Sequence, residues 1–261
     1  MCAGAQSAGF HFSNGTKQGG VLSPLLFSRY IRDLINSVAT SGVGCNIAGL
    51  WLNILAYADD IVLIAPSWRS LQSLITSLHD LAVNLDLSCN LHITVTMVFS
   101  PRCRSKLIAN SFPQFSLGNS YIQTVSCLGH IISNKFLDDD HVYREIRNMF
   151  TRTNVLLQKL YNYCSVSVKN CLKLFKTYCL CLYDVALWTN YLSKSFDKFQ
   201  SCYNKCVNKL FFGYRKYDSV TRMLQKTGLP SFSTVIHNNN ISFNKCWNLC
   251  NNAIVAVLRN V

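Results

Sequence analysis

Two adjacent aspartates, Asp59 and Asp60, break what would otherwise be the longest apolar run in the chain. Trp51 to Leu55 leads into Ala56-Tyr57-Ala58-Asp59-Asp60, and Ile61 to Ala65 leads out. The two runs are short, β-branched or large, and bounded by turn residues, so the stretch reads as a hairpin with the acidic pair at or beside its tip. The same pair rules this run out as a membrane span. Burying two anions at the end of two apolar strands is costly unless a cation meets them. A divalent metal would answer that need, because hard cations take carboxylate oxygens. A solvated turn would answer it equally, because Asp favours turns for purely local reasons. Both readings stand open on these residues.

The surrounding order is that of a mixed layer. Thr16-Lys17-Gln18-Gly19-Gly20-Val21-Leu22-Ser23-Pro24 is a glycine loop feeding a helix, with Ser23 expected as N-cap and Pro24 at the first helical position. Gln18, Gly19 and Gly20 are candidate nucleotide or template contacts; a plain turn is the alternative. One helical face carries Leu26, Tyr30, Ile31, Leu34 and Val38. After the hairpin, Ser67 is expected to cap a helix bearing Leu71, Leu74, Ile75, Leu78, Ala82 and Leu85. A strand follows at Ile93 to Phe99, then a hairpin signal at Gly118-Asn119-Ser120, then Cys127-Leu128-Gly129-His130-Ile131-Ile132. The expected class is α+β with a mainly antiparallel sheet.

From Asp138 the pattern becomes helical, with Asp138-Asp139-Asp140 expected at a helix N-terminus. Val142, Ile146, Met149, Thr153, Leu156 and Leu160 form one apolar stripe. Val168, Leu172, Phe175, Cys179 and Leu182 form a second, and Phe196, Phe199, Tyr203, Val207 and Leu210 a third. Lys169, Lys173 and Lys176 accompany the second, and Lys198 and Lys205 the third. The chain carries a formal charge of +13, and all of the excess falls after residue 100. Glu145 is its one glutamate. That imbalance points to a polyanionic partner on the basic helices, with ordinary solvated faces as the alternative. The 13 cysteines are scattered and odd in number, which suits reduced thiols in an intracellular protein better than a disulfide scaffold. Neither a signal peptide nor a membrane span is expected.

Together these pieces resemble the reverse transcriptase of non-LTR retrotransposons. Lys17-Gln18-Gly19-Gly20-Val21-Leu22-Ser23-Pro24 is similar to that family's loop-and-helix palm motif, and Tyr57-Ala58-Asp59-Asp60 to its catalytic box. Leu128-Gly129-His130-Ile131-Ile132 resembles its primer grip, and the stretch from Asp140 to about Pro230 its helical thumb. The resemblance implies an N-terminally truncated palm over residues 1–137, a thumb over 138–230 and a helical tail over 231–261. It implies RNA-directed DNA polymerase chemistry with Mg²⁺ or Mn²⁺, Asp59 as direct metal ligand and Asp60 beside it. Tyr57 would lie near the primer terminus, and Leu128 and Gly129 would grip nucleic acid. The implied partners are an RNA template with its DNA primer, and deoxynucleoside triphosphates; an intact polymerase chain is a further candidate. The implied compartment is nucleus or cytoplasm.

Two departures shape the expectation. The family's first metal aspartate precedes the glycine loop, whereas residues 1–32 hold no Asp or Glu, and Asp33 falls inside the following helix. The family's strand motif after the catalytic box places a lysine where this chain has Ile93, next to His92. The chain alone is therefore expected not to catalyse. The alternatives are a duplex-binding module without chemistry and an interaction or decayed remnant.

Overall fold

The computed structural model describes residues 15–17, 19–99, 113, 115, 120–122, 124–161, 167–182, 184–212 and 219–260. Two compact units emerge, one holding the described residues up to Thr94 with Pro113, Phe115 and residues 256–260, the other residues 95–99 and the described residues from Ser120 to Val255.

In the first unit, α1 (Ser23–Tyr30) and α2 (Arg32–Ala39) are followed by two antiparallel hairpins. These are β1 (Cys45–Ile47) with β2 (Leu50–Leu52), and β3 (Ile54–Tyr57) with β4 (Asp60–Leu63). Helix α3 (Trp68–Asn84) comes next, capped as expected by Ser67, whose hydroxyl accepts from Ser70 N–H at 3.2 Å. The apolar stripe expected to run along one helix is divided by a break at Ile31. Ser28 Oγ donates to Pro24 C=O at 2.8 Å, a back-bond of the kind that bends helices. Beyond the break Ile31, Leu34 and Val38 are buried; before it Leu26 and Tyr30 are exposed. Ser23 is not the N-cap. Leu22 takes that place, and Ser23 Oγ instead donates to Lys17 C=O at 2.6 Å, closing the glycine loop.

The core of this unit is small: Val38, Ile54 and Leu74, with Ile35, Ile61, Leu63 and Leu78 around them. Asn53 anchors the hairpin from within. Its buried amide donates to Val38 C=O and Val43 C=O, each at 2.8 Å, satisfying carbonyls at the end of α2 and in the loop beyond. Gly44 has φ +120° and would bring a Cβ within 2.4 Å of the Asn53 Cβ, so only glycine fits that approach.

In the second unit, β5 (Val95–Met97) pairs with β6 (Ser120–Ile122), and β7 (Thr124–Cys127) with β8 (His130–Ser133). The β5–β6 pair is parallel, while the other described pairs are antiparallel as expected. The strand expected from Ile93 begins instead at Val95. Asn90 folds the preceding residues into a turn, its side chain accepting from His92 N–H at 3.2 Å and its carbonyl from Thr94 Oγ1 at 2.8 Å. His92 is exposed on that turn. The hairpin signal at Gly118 and Asn119 and the reading at Gln18 lie outside the described residues.

The helices of this unit are α4 (Asp139–Tyr161), α5 (Val168–Tyr178), α6 (Ser193–Phe212), α7 (Val220–Thr227) and α8 (Phe232–Leu249); the short α9 (Ala253–Leu258) follows, its residues from Ala256 grouping with the first unit. Val142, Met149 and Leu156 of α4, spaced by two turns each, meet Phe175 of α5 and Phe199, Tyr203 and Val207 of α6. Phe232, at the start of α8, is the hub of the ring contacts, with centroids 4.8 Å from Phe199, 5.4 Å from Phe196 and 5.7 Å from Tyr203. Tyr203 Oη donates to Pro230 C=O at 2.7 Å, and burial pushes its phenol up to about 12. The aspartates ahead of α4 do more than favour the helix dipole. Asp138 Oδ2 accepts from Thr189 and Asn190 N–H, each at 2.8 Å, and Asp139 Oδ1 accepts from Leu192 N–H at 3.1 Å and from Ser195 Oγ. They tie the start of α4 to the start of α6. The ten described cysteines are free thiols. No described helix is long and apolar enough to cross a membrane.

Candidate active site and nucleic-acid surface

The β3–β4 hairpin carries the acidic pair as the alternation of its residues requires. Tyr57 pairs with Asp60 as the closing residues, leaving Ala58 and Asp59 as the two-residue turn. The cross-strand pair Leu55–Val62 shares the face of Tyr57–Asp60, while Ile54, Ile61 and Leu63 turn to the core. Asp60 therefore stands on an outward face beside exposed Tyr57, Leu55 and Val62, with Asp59 beyond it at the tip. Ala58 sits at φ +52°. Two other hairpins turn through Ala48-Gly49 and Leu128-Gly129, each also with a positive-φ first residue but with glycine second. At the acidic tip Asp59 takes the position glycine holds elsewhere. The left-handed residue of this turn is Ala58, at a cost of about 1–2 kcal/mol that Ala48 and Leu128 share, and Asp59 itself is not in that region.

Both carboxylates are exposed. The burial cost that the apolar flanks suggested therefore does not arise here, and a cation is not required to offset it. The donor set nevertheless suits one. Two adjacent carboxylates supply hard oxygens, and Mg²⁺ takes one or two such groups while keeping water and substrate phosphates. Among the described residues no third His, Cys, Asp or Glu joins Asp59 and Asp60.

The glycine loop is compact. Gly19 has φ +76°, and Gly20 N–H donates to Lys17 C=O at 3.0 Å. A Cβ on Gly20 would lie 2.6 Å from Ser23 Oγ and 3.1 Å from Lys17 C=O, so the turn leaves no room for a side chain there. Leu128 and Gly129 form the exposed turn between β7 and β8.

The lysines singled out by spacing are all exposed: Lys169, Lys173 and Lys176 on α5, Lys198 and Lys205 on α6. Lys198 has more than solvent around it. Its Nζ donates to Tyr143 Oη at 3.2 Å and lies 5.0 Å from the centre of that ring. Tyr143, Phe150, Lys198 and Lys205 line a cleft of about 250 Å³ between α4 and α6, floored by Ile146 and Cys202. A cationic rim over aromatic and aliphatic walls can take a phosphate with an apolar ring or chain beside it. Spacing alone had no means of finding Tyr143, because its partner lies 55 residues away on another helix. Asn53 was equally hidden, as a polar residue inside an apolar run.

A family model described as reverse transcriptase (RNA-dependent DNA polymerase) matches residues 1–132. The chain is 29% identical over 122 residues to the retrovirus-related Pol polyprotein from type-2 retrotransposable element R2DM of Drosophila melanogaster, covering 47% of this chain and 11% of that protein. No solved structure matches the chain.

Proposed function

This chain belongs to the reverse transcriptase family, of the non-LTR retrotransposon type, and on that premise we propose that it grips an RNA–DNA duplex and offers Asp59 and Asp60 to a divalent metal without extending the primer by itself. The observation that carries the reading is the β3–β4 tip, where two carboxylates stand exposed with Tyr57 beside them. Asp59 and Asp60 would hold Mg²⁺ or Mn²⁺; that ion, when bound, neutralises charge on a transferring phosphoryl group. Tyr57 offers an exposed ring to a primer terminus, and Gly19 and Gly20 offer a close backbone approach to template or nucleotide, a contact the family resemblance extends to Gln18. The β7–β8 turn at Leu128 and Gly129, with Lys169, Lys173, Lys176, Lys198 and Lys205, contacts the duplex backbone. Such contacts need no base sequence and weaken steeply with salt.

Catalysis by this chain alone is not expected, because residues 1–32 contain no carboxylate to complete the metal set. Primer extension on an RNA template with Mg²⁺ or Mn²⁺, run beside duplex binding, tests both parts. Wild type and Asp59→Ala should bind duplex alike and extend nothing. Extension by wild type that vanishes in Asp59→Ala would refute the inactive half of the proposal. Failure of the folded chain to bind any duplex would refute the whole.

A further inference from the structure

His130 begins β8 directly after the Leu128-Gly129 turn, and two side chains from distant segments meet it. One is His141 in the first turn of α4; the other is Asp184, just before a short 3₁₀ turn at Val185–Leu187. Asp184 Oδ2 lies 3.9 Å from His130 Nδ1 and 3.7 Å from His141 Nε2. The imidazoles stack with centroids 4.2 Å apart, and Trp188 packs edge-on against His141 at 5.7 Å. His141 is 1% exposed, so this cluster is sealed from solvent on its side.

A backbone bond sets the chemistry of the cluster. Ile131 N–H donates to His141 Nδ1 at 3.0 Å. Ile131 lies opposite Ser126, one step from the closing pair Cys127–His130, so its N–H points away from β7 toward α4. A neutral imidazole has one lone pair and one N–H. With Nδ1 accepting, the proton belongs to Nε2, which faces the Asp184 carboxylate. A metal-binding histidine shows the reverse, its outer nitrogen donating to a protein acceptor. Three donor atoms within 4.8 Å of one another have the composition of a metal site, but His141 holds the wrong tautomer for one. Burial lowers the His141 pKa to about 4, with His130 and Arg144 opposing its protonation and Glu145 and Asp184 partly favouring it. The ring thus stays neutral near pH 7 and keeps that tautomer.

We propose that His141 is a positioning residue for the β7–β8 turn. Its Nδ1 holds the outer edge of β8 through Ile131, and that same bond sets the tautomer, leaving Nε2–H near Asp184 Oδ2 at 3.7 Å without a hydrogen bond. The consequence for duplex binding rests on the reading of Leu128 and Gly129 given above; the positioning itself does not.

The test is native-state amide exchange at Ile131 in the full chain, corrected for intrinsic rate, beside duplex binding. The proteins are wild type, His141→Leu and His141→Asn, the last keeping an acceptor near Nδ1. Exchange at Ile131 should rise at least tenfold in His141→Leu and return close to wild type in His141→Asn, with α6 amides unchanged. Wild-type protection at Ile131 should fall as pH drops toward 4, whereas His141→Asn should lack that step. Duplex affinity should weaken several-fold in His141→Leu and recover in His141→Asn. Unchanged exchange at Ile131 in folded His141→Leu would overturn the positioning role. If that variant does not fold, a wild-type profile without the acid step would overturn it. The expected exchange pattern in a chain that binds no duplex would support positioning and instead refute the nucleic-acid role of the turn.

Discussion

The helical unit and the hairpin unit place the same kinds of residue in opposite settings. In the helical unit Phe175, Phe199, Tyr203 and Phe232 are almost wholly enclosed, and each meets at least one other ring. In the hairpin unit Leu22, Leu25, Leu26, Leu55, Tyr57 and Val62 all face solvent, while a few residues around Val38, Ile54 and Leu74 supply the core. Burial of an aromatic or large aliphatic side chain contributes about 1.5–3 kcal/mol, so most of the fold's hydrophobic stabilisation lies in the helices. The hairpin unit keeps its apolar residues and its carboxylates on the outside, where another molecule can reach them. Contiguous exposed apolar residues are a mark of interaction surfaces.

The sharpest way to break that contrast is a matched pair of aromatic truncations. Phe232→Ala should cost about 3–5 kcal/mol by removing the hub of the ring cluster. Tyr57→Ala should change stability by less than about 0.5 kcal/mol, because its ring is already in water. Urea denaturation of both variants measures the difference, and similar midpoints would mean that the cores are not unequal. Asn53→Ala should come next, at about 1–3 kcal/mol, because it removes a donor from the half-buried Val43 C=O and one of the two donors to Val38 C=O, which keeps Ser41 N–H at 3.2 Å. That loss should appear in amide exchange of the β3–β4 hairpin before it appears in the helices.

Acid should act on the other unit. His141 has a folded pKa near 4 against an ordinary 6.5. Between these values the unfolded chain takes up a proton that the folded chain refuses, so stability falls as pH drops from 6.5 to about 4 and levels off below. Denaturant midpoints of wild type should follow that slope, and His141→Asn should flatten it. The smallest effect concerns charge alone. Lys198→Ala with Lys205→Ala should leave folding almost unchanged and reduce the slope of log affinity against log salt for an RNA–DNA duplex by about 2. An unaltered slope would place the duplex elsewhere than on α6.

The legibility of this fold follows the range of each signal. Ser67 capped its helix as written, and the stripes through Val142, Met149 and Leu156 and through Phe199, Tyr203 and Val207 were buried as their spacing required. Capping and amphipathic periodicity act within a few turns of chain. The failures were also physical. Ser23 had an alternative acceptor in Lys17 C=O and used it, and the Asn90 turn displaced the start of β5. Local hydrogen bonds of this kind compete with regular structure, and sequence pattern does not say which will win.

By itself the sequence placed Asp59 and Asp60 at or beside a hairpin tip, because two short apolar runs flank the pair and leave it between them. It also determined that the basic residues ride on helices with one buried stripe. Only the tertiary structure decided that both carboxylates are exposed, that Tyr143 meets Lys198, and that His130, His141 and Asp184 share one enclosure. Exposure and side-chain partnership depend on segments that are distant along the chain and brought together by packing, and no local pattern of residues encodes that distance.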